Sequence, residues 1–62
     1  MISVICPIYN EESRIEACIQ SIVNQDYPKE EMEVLFVDGM STDRTRDIVM
    51  EYSQQYPFIR LS

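Results

Sequence analysis

Cys6-Pro7-Ile8-Tyr9-Asn10-Glu11 and Val37-Asp38-Gly39-Met40-Ser41-Thr42-Asp43 each stand where a short apolar run ends and a helical pattern begins. In an α/β sheet such points are the carboxyl ends of strands, where ligands bind. An aromatic ring and a few carboxyl groups gathered at that edge suit a flat ligand that forms hydrogen bonds.

Outward from these stretches the pattern is regular. Ile2-Ser3-Val4-Ile5-Cys6 is a β-branched run that Pro7 is expected to stop, and its near-continuous apolarity predicts burial on both faces. Asn10 is placed to cap the helix that follows, and Glu11 and Glu12 fall in a first turn that favours acids. Ile15, Cys18, Ile19, Ile22 and Val23 then recur at helical spacing, with an end near Gln25. Lys29-Glu30-Glu31-Met32 reads as a charged connection and Glu33-Val34-Leu35-Phe36-Val37 as the second strand. Gly39 is expected to supply backbone freedom for the next turn. Ser41, Thr42 or Asp43 caps a second helix whose apolar face is Thr45, Ile48, Val49, Tyr52 and Tyr56. Pro57 ends that helix, and Phe58-Ile59-Arg60-Leu61 reads as a third strand.

The order is βαβαβ. It predicts a Rossmann-like α/β fold with a parallel sheet, right-handed crossovers and strand order 3-2-1. Such a sheet leaves two open edges. Residues 1–62 therefore read as the N-terminal part of one larger, truncated domain. Chains of this length bury only about 60% of their unfolded surface.

The composition is that of a globular chain, 45% hydrophobic and 26% charged with a single Gly, and the formal net charge is −6. That charge argues against a nucleic-acid backbone or an anionic membrane as the main partner. Cys6 and Cys18 lie in apolar positions and read as buried thiols rather than a disulfide. With no His in the chain, they do not make a zinc site. No run approaches the roughly 20 apolar residues of a membrane span. Met1 leads directly into a strand without a basic leader, so a cytosolic setting is expected.

The loop after the first strand lacks the glycines that cradle a pyrophosphate, and two acids in the first helical turn repel phosphate. The edge therefore favours a base or a sugar. Tyr9 either stacks on a ring or packs. Glu11 and Asp38 can accept hydrogen bonds from an imide or a ribose hydroxyl, and Glu11 equally suits the helix dipole. Asp38, an acid before Gly with no evident packing task, is the stronger ligand candidate. Asp43 and Ser41 read mostly as caps, and Glu12 as a dipole partner. No Ser/His/Asp set and no convincing general base is present.

These motifs resemble the opening of a family 2 glycosyltransferase of the nucleotide-diphospho-sugar transferase (GT-A) fold. Three segments carry the likeness: Pro7-Ile8-Tyr9-Asn10-Glu11, Ser21-Ile22-Val23-Asn24-Gln25-Asp26-Tyr27-Pro28, and Val37-Asp38-Gly39-Met40-Ser41-Thr42-Asp43. The resemblance covers the whole chain. It implies an enzyme that moves a sugar from a nucleotide-sugar donor, usually a UDP-sugar, to a glycan or lipid-linked acceptor in polysaccharide or cell-surface glycan synthesis. It further implies that Pro7, Tyr9 and Glu11 flank the nucleoside and that Asp38 meets the base. The divalent Mg or Mn ion, its Asp-x-Asp ligands and the general base are implied beyond Ser62, so the segment alone is expected to be inactive. Similar enzymes work at the cytoplasmic face of the membrane, with membrane association through other parts. One departure stands out: the family's common Asp-Asp-Gly is Asp38-Gly39-Met40 here, with one acid of the pair.

The rival reading is a non-catalytic α/β nucleotide-binding or regulatory module. A receiver-like domain would carry acids at the first strand end, where this chain has Cys6-Pro7. A dinucleotide-binding oxidoreductase would carry the missing glycine fingerprint.

Overall fold

The computed structural model describes all residues, Met1–Ser62. The elements are β1 (Ile2–Ile8), α1 (Glu12–Val23), a short 3-10 turn (Lys29–Glu31), β2 (Met32–Asp38), α2 (Thr45–Gln55) and β3 (Ile59–Leu61). The three strands form one parallel sheet in the order β1-β2-β3, as the alternation of strands and helices predicts.

Both crossovers run in the same direction across the sheet, so both helices lie on one face. Met32, Val34 and Phe36, alternate residues of β2, are buried together with Ile15 and Ile19 of α1 and Val49 of α2. Ile8 and Ile59 complete this cluster from the flanking strands. Leu35 and Val37 point to the other face and remain partly or well exposed.

Two expectations for β1 change. Its strand does not stop at Pro7 but continues to Ile8, with Pro7 opposite Val37. Pro7 has no N–H to give to the ladder, so at this position β1 offers only its carbonyl. Nor is β1 buried on both faces: Ile5 is 66% and Ile2 45% exposed. An apolar run fixes that a segment is a strand, but the layers around it decide how much of it is covered.

The helix faces largely follow the periodicity. Ile15 and Ile19 are buried, Ile22 and Val23 half-buried. Cys18 is the exception; it is exposed, on the flank of the stripe, and Cys6 is half-buried. Both thiols are free, and burial, then the neighbouring Cys18, pushes the Cys6 thiol above its ordinary range. In α2 Thr45 and Val49 are buried, while Ile48, Tyr52 and Tyr56 pack at the rim of the core. The Tyr52 and Tyr56 rings stack with centroids 6.2 Å apart. Tyr52 also reaches across to α1, accepting a hydrogen bond from Gln20 Nε2 at 3.0 Å.

Phe36 is the largest fully buried side chain, at the centre of the central strand. Phe36→Ala is expected to cost about 3–5 kcal/mol, a large part of what a chain of this size has. Urea unfolding followed by circular dichroism checks this; a loss below about 1 kcal/mol would contradict the assignment of Phe36 as the core's main anchor.

Candidate functional site

Because β1 and β2 are parallel, their carboxyl ends meet at one edge of the sheet, with Ile8 opposite Asp38. The Gly39 N–H donates to the Ile8 carbonyl at 2.8 Å and extends the pairing past the last ladder residues. Tyr9 lies beside Gly39 and is 58% exposed.

Beyond this point the two loops are joined by side chains. Asn10 has a left-handed backbone, φ 47°, a conformation that Asn tolerates better than most residues. Its N–H donates to Ser41 Oγ at 2.9 Å, and its Oδ1 accepts from the Thr42 N–H at 2.8 Å. The Glu11 N–H donates to Thr45 Oγ1 at 2.7 Å and the Glu12 N–H to Asp43 Oδ2 at 3.2 Å. In return the Arg44 N–H donates to Glu12 Oε1 at 3.2 Å. Each helix entrance thus has its free N–H groups satisfied partly by the other loop, where an isolated helix would leave them bare.

This geometry corrects three local assignments. Asn10 does not cap α1; the flanking residue is Glu11, which makes no side-chain cap bond, and Asn10 reaches across to Thr42 instead. Gly39 is not the residue that needs unusual backbone freedom: the left-handed turn residue is Met40, φ 68°. For α2 none of the three candidates is the cap: the flanking residue is Arg44, which makes no side-chain cap bond, while Asp43 Oδ1, one residue earlier, accepts from the Thr45 N–H at 2.9 Å and Ser41 and Thr42 bond to Asn10.

Asp38 also has a structural task that the sequence did not reveal. One carboxylate oxygen accepts from the Ser41 N–H at 3.1 Å and the other from the Ser41 hydroxyl. The hydroxyl bond is the main reason that its carboxyl is held below the ordinary Asp range; desolvation opposes it, and Arg46 adds to the lowering. Asp43 is lowered in the same sense, chiefly by the Thr45 hydroxyl. Thr45 is fully buried. Its hydroxyl donates to Asp43 Oδ1 and accepts from Glu11, so it bridges the two loops.

The four candidate ligand residues fall into two groups. Tyr9 and Asp38 belong to the top edge, on either side of the Gly39–Ile8 pairing. Pro7 and Glu11 line a largely apolar recess of about 330 Å³ between β1 and α1, with Cys6, Arg14, Ile15 and Phe36 among its walls. Glu11 Oε1 accepts from Arg14 Nη2 at 2.9 Å in an exposed ion pair. No cluster of three or more His, Cys, Asp or Glu side chains is arranged to hold a metal ion.

Residues 3–62 match the family described as glycosyl transferase family 2. The chain belongs to glycosyltransferase family 2.

Individual relatives agree with this assignment. The chain is 47% identical over 57 residues to a Methanococcus voltae protein named dolichyl N-acetyl-alpha-D-glucosaminyl phosphate 3-beta-D-2,3-diacetamido-2,3-dideoxy-beta-D-glucuronosyltransferase, covering 92% of this chain and 18% of that protein. It is 50% identical over 50 residues to the Staphylococcus aureus poly(ribitol-phosphate) beta-N-acetylglucosaminyltransferase TarS, covering 81% of this chain and 9% of TarS. The solved structure of S. aureus TarS 1-349 superposes with a TM-score of 0.86 at 41% identity, over 98% of this chain and 18% of that one. The mannosyltransferase PcManGT from Pyrobaculum calidifontis, solved with GDP-Man and Mn2+, superposes with a TM-score of 0.83 at 39% identity, again over 98% and 18%. The chain thus spans less than a fifth of the length of these relatives, and its fold is that of their GT-A-type transferase domains.

For this family 2 chain, sequence reasoning missed Thr45, which it placed on the apolar face of α2. A buried hydroxyl must find partners, and the acid two residues earlier in Asp43-Arg44-Thr45 was the available signal.

Thr45→Val keeps the shape but leaves the Glu11 N–H without its partner, with an expected cost of about 1–3 kcal/mol. The stabilisation tied to Asp38 and Asp43 is present above the unfolded Asp value of about 3.9. It is lost as pH falls through their lower folded values. Thr45→Val should therefore also flatten the loss of stability below about pH 4. Thermal melts at neutral and acid pH read both effects; a variant within about 0.5 kcal/mol of wild type with the same acid slope contradicts the bridging role.

Proposed function

We propose that this chain is the nucleoside-binding portion of an enzyme that transfers a sugar from a nucleotide-sugar donor to a glycan or lipid-linked acceptor, in polysaccharide or cell-surface glycan synthesis. Family membership supports the reaction class, and the names of the relatives, a dolichyl phosphate-linked substrate in one and poly(ribitol-phosphate) in another, support the acceptor class. A UDP-sugar is the first donor to test. The Pyrobaculum relative, with GDP-Man and Mn2+, supports a nucleotide diphosphate with a divalent cation as the general form.

The observation that carries this reading is the placement of Tyr9. Its exposed ring stands at the carboxyl edge of a parallel sheet, on a loop held by bonds to a second loop. Rigid support with an open aromatic face is what stacking on a base requires. The N–H groups of Glu11 and Glu12 are already bonded to Thr45 and Asp43. The α1 entrance is therefore a poor phosphate cradle, and the diphosphate belongs elsewhere. Pro7 and Glu11 flank the nucleoside from the recess side. In this proposal, residues outside this chain bring the divalent cation and the general base, because the two acids of the second loop are engaged by Ser41 and Thr45. No helix is long and apolar enough to cross a membrane; work at the cytoplasmic membrane face is part of the proposal through residues outside this chain.

Calorimetric titration of the full-length protein with UDP, with and without Mn2+, tests the donor site. Binding that strengthens with the metal is expected, and Tyr9→Ala should weaken it by about tenfold or more, the value of one lost base stack. Absence of UDP and GDP binding in either condition would sink the donor-site reading.

A further inference from the structure

Asp38 stands directly before the chain's single Gly. At such a bond the side-chain carboxyl and the next peptide nitrogen meet with least hindrance, because Gly has no Cβ to shield its nitrogen. The other aspartates, Asp26, Asp43 and Asp47, precede Tyr27, Arg44 and Ile48, whose side chains provide that shield.

In the fold both reacting groups are held. The Gly39 N–H donates to the Ile8 carbonyl at 2.8 Å. Asp38 ends β2 opposite Ile8, and both its oxygens bond to Ser41: one accepts from the N–H at 3.1 Å, the other from the hydroxyl. Ser41 Oγ in turn accepts from the Asn10 N–H at 2.9 Å, which ties this clamp to the loop after β1. The Ser41 hydroxyl is also the main reason that the Asp38 carboxyl is held below the ordinary Asp range. An ionised carboxylate does not give up an oxygen, so the clamp keeps the reactive neutral form scarce. The Gly39–Ile8 bond lies past the last ladder residues, where pairing opens at lower cost than in the core.

We propose that Asp38-Gly39 is a self-modification site of this chain: when the strand end opens, the bond passes through a cyclic imide to isoaspartate, and the Ser41 clamp keeps the folded protein as aspartate. The Gly39 nitrogen attacks Asp38 Cγ and the N–Cγ bond forms. The N–H proton and the carboxyl hydroxyl leave together as water. Hydrolysis of the imide at the main-chain carbonyl takes that water back and routes the chain through Cβ and Cγ. No oxidant or cofactor enters, and the composition is unchanged. The main chain is now longer by Cβ, so the Gly39–Ile8 pairing and the Ser41 bonds no longer fit together. The lesion unlocks the edge beside Tyr9, whatever that edge binds.

The test ages the full-length protein at neutral pH and follows the tryptic peptide Glu30–Arg44, in which isoaspartate shifts retention without changing mass. In urea, wild type is expected to accumulate isoaspartate at position 38, and Gly39→Ala, which shields the nitrogen with a Cβ, to suppress it. Folded wild type should react about tenfold or more slowly than in urea, because the open fraction sets the rate. Ser41→Ala should speed the folded reaction by about threefold or more, the worth of a lost hydrogen bond to a charged group. Ser41→Thr keeps the hydroxyl and should stay near wild type. Val49→Ala weakens the core but leaves the clamp intact; with thermal melts showing it at least as destabilised as Ser41→Ala, it should react more slowly than that variant. Equal rates in folded and urea-treated wild type overturn the protection. A rise in Val49→Ala that matches Ser41→Ala assigns the rate to global stability and overturns the clamp. Isoaspartate at Asp43 instead, or undiminished in Gly39→Ala, overturns the site.

Discussion

The hydroxyl of Thr45 is the contact on which the functional edge of this chain depends. It is fully buried, accepts from the backbone of Glu11 and donates to Asp43. Through it the start of α1 and the start of α2, 34 residues apart in sequence, become one unit. Buried polar groups are costly unless satisfied. Here each satisfies the other, so the arrangement is stable only when both loops are in place. Asn10 with Ser41 and Thr42, and Glu12 with Asp43 and Arg44, extend the same join outward into solvent.

The consequence is that polar residues at this edge, the ligand candidate Asp38 among them, hold the two loops together. Asn10, Asp38, Ser41 and Asp43 use their polar atoms on backbone or hydroxyl partners. What remains free is the ring of Tyr9 above a rigid edge. Such an edge positions an aromatic surface well, which is what the proposed nucleoside-binding role requires.

How much of this could be read from the sequence depended on range. Strand and helix order followed from local periodicity, and the strand order from the handedness of crossovers. The buried set Ile15, Ile19, Val34, Phe36 and Val49 lies within the apolar stripes and runs so predicted. The misreadings have more than one cause: that of Asn10 depended on a partner distant in sequence, that of Asp38 on one three residues on. Asn10 turns away from α1 because Thr42 is within reach. Asp38 looked idle because its partner Ser41 reads as a cap for the next helix. The left-handed residue could not be told from composition, since it fell on Met40 next to the chain's single Gly. The family motifs were legible because they compress those long-range pairings into short spellings.

Native-state hydrogen exchange at the Glu11 amide tests the interlocked loops most directly. That amide precedes α1 and has no partner within its own segment; its acceptor is Thr45. Protection within about tenfold of the Phe36 amide in the central strand is predicted, because both should open only with the sheet. Exchange at the rate of a free loop amide, with the Phe36 amide still protected, would contradict it.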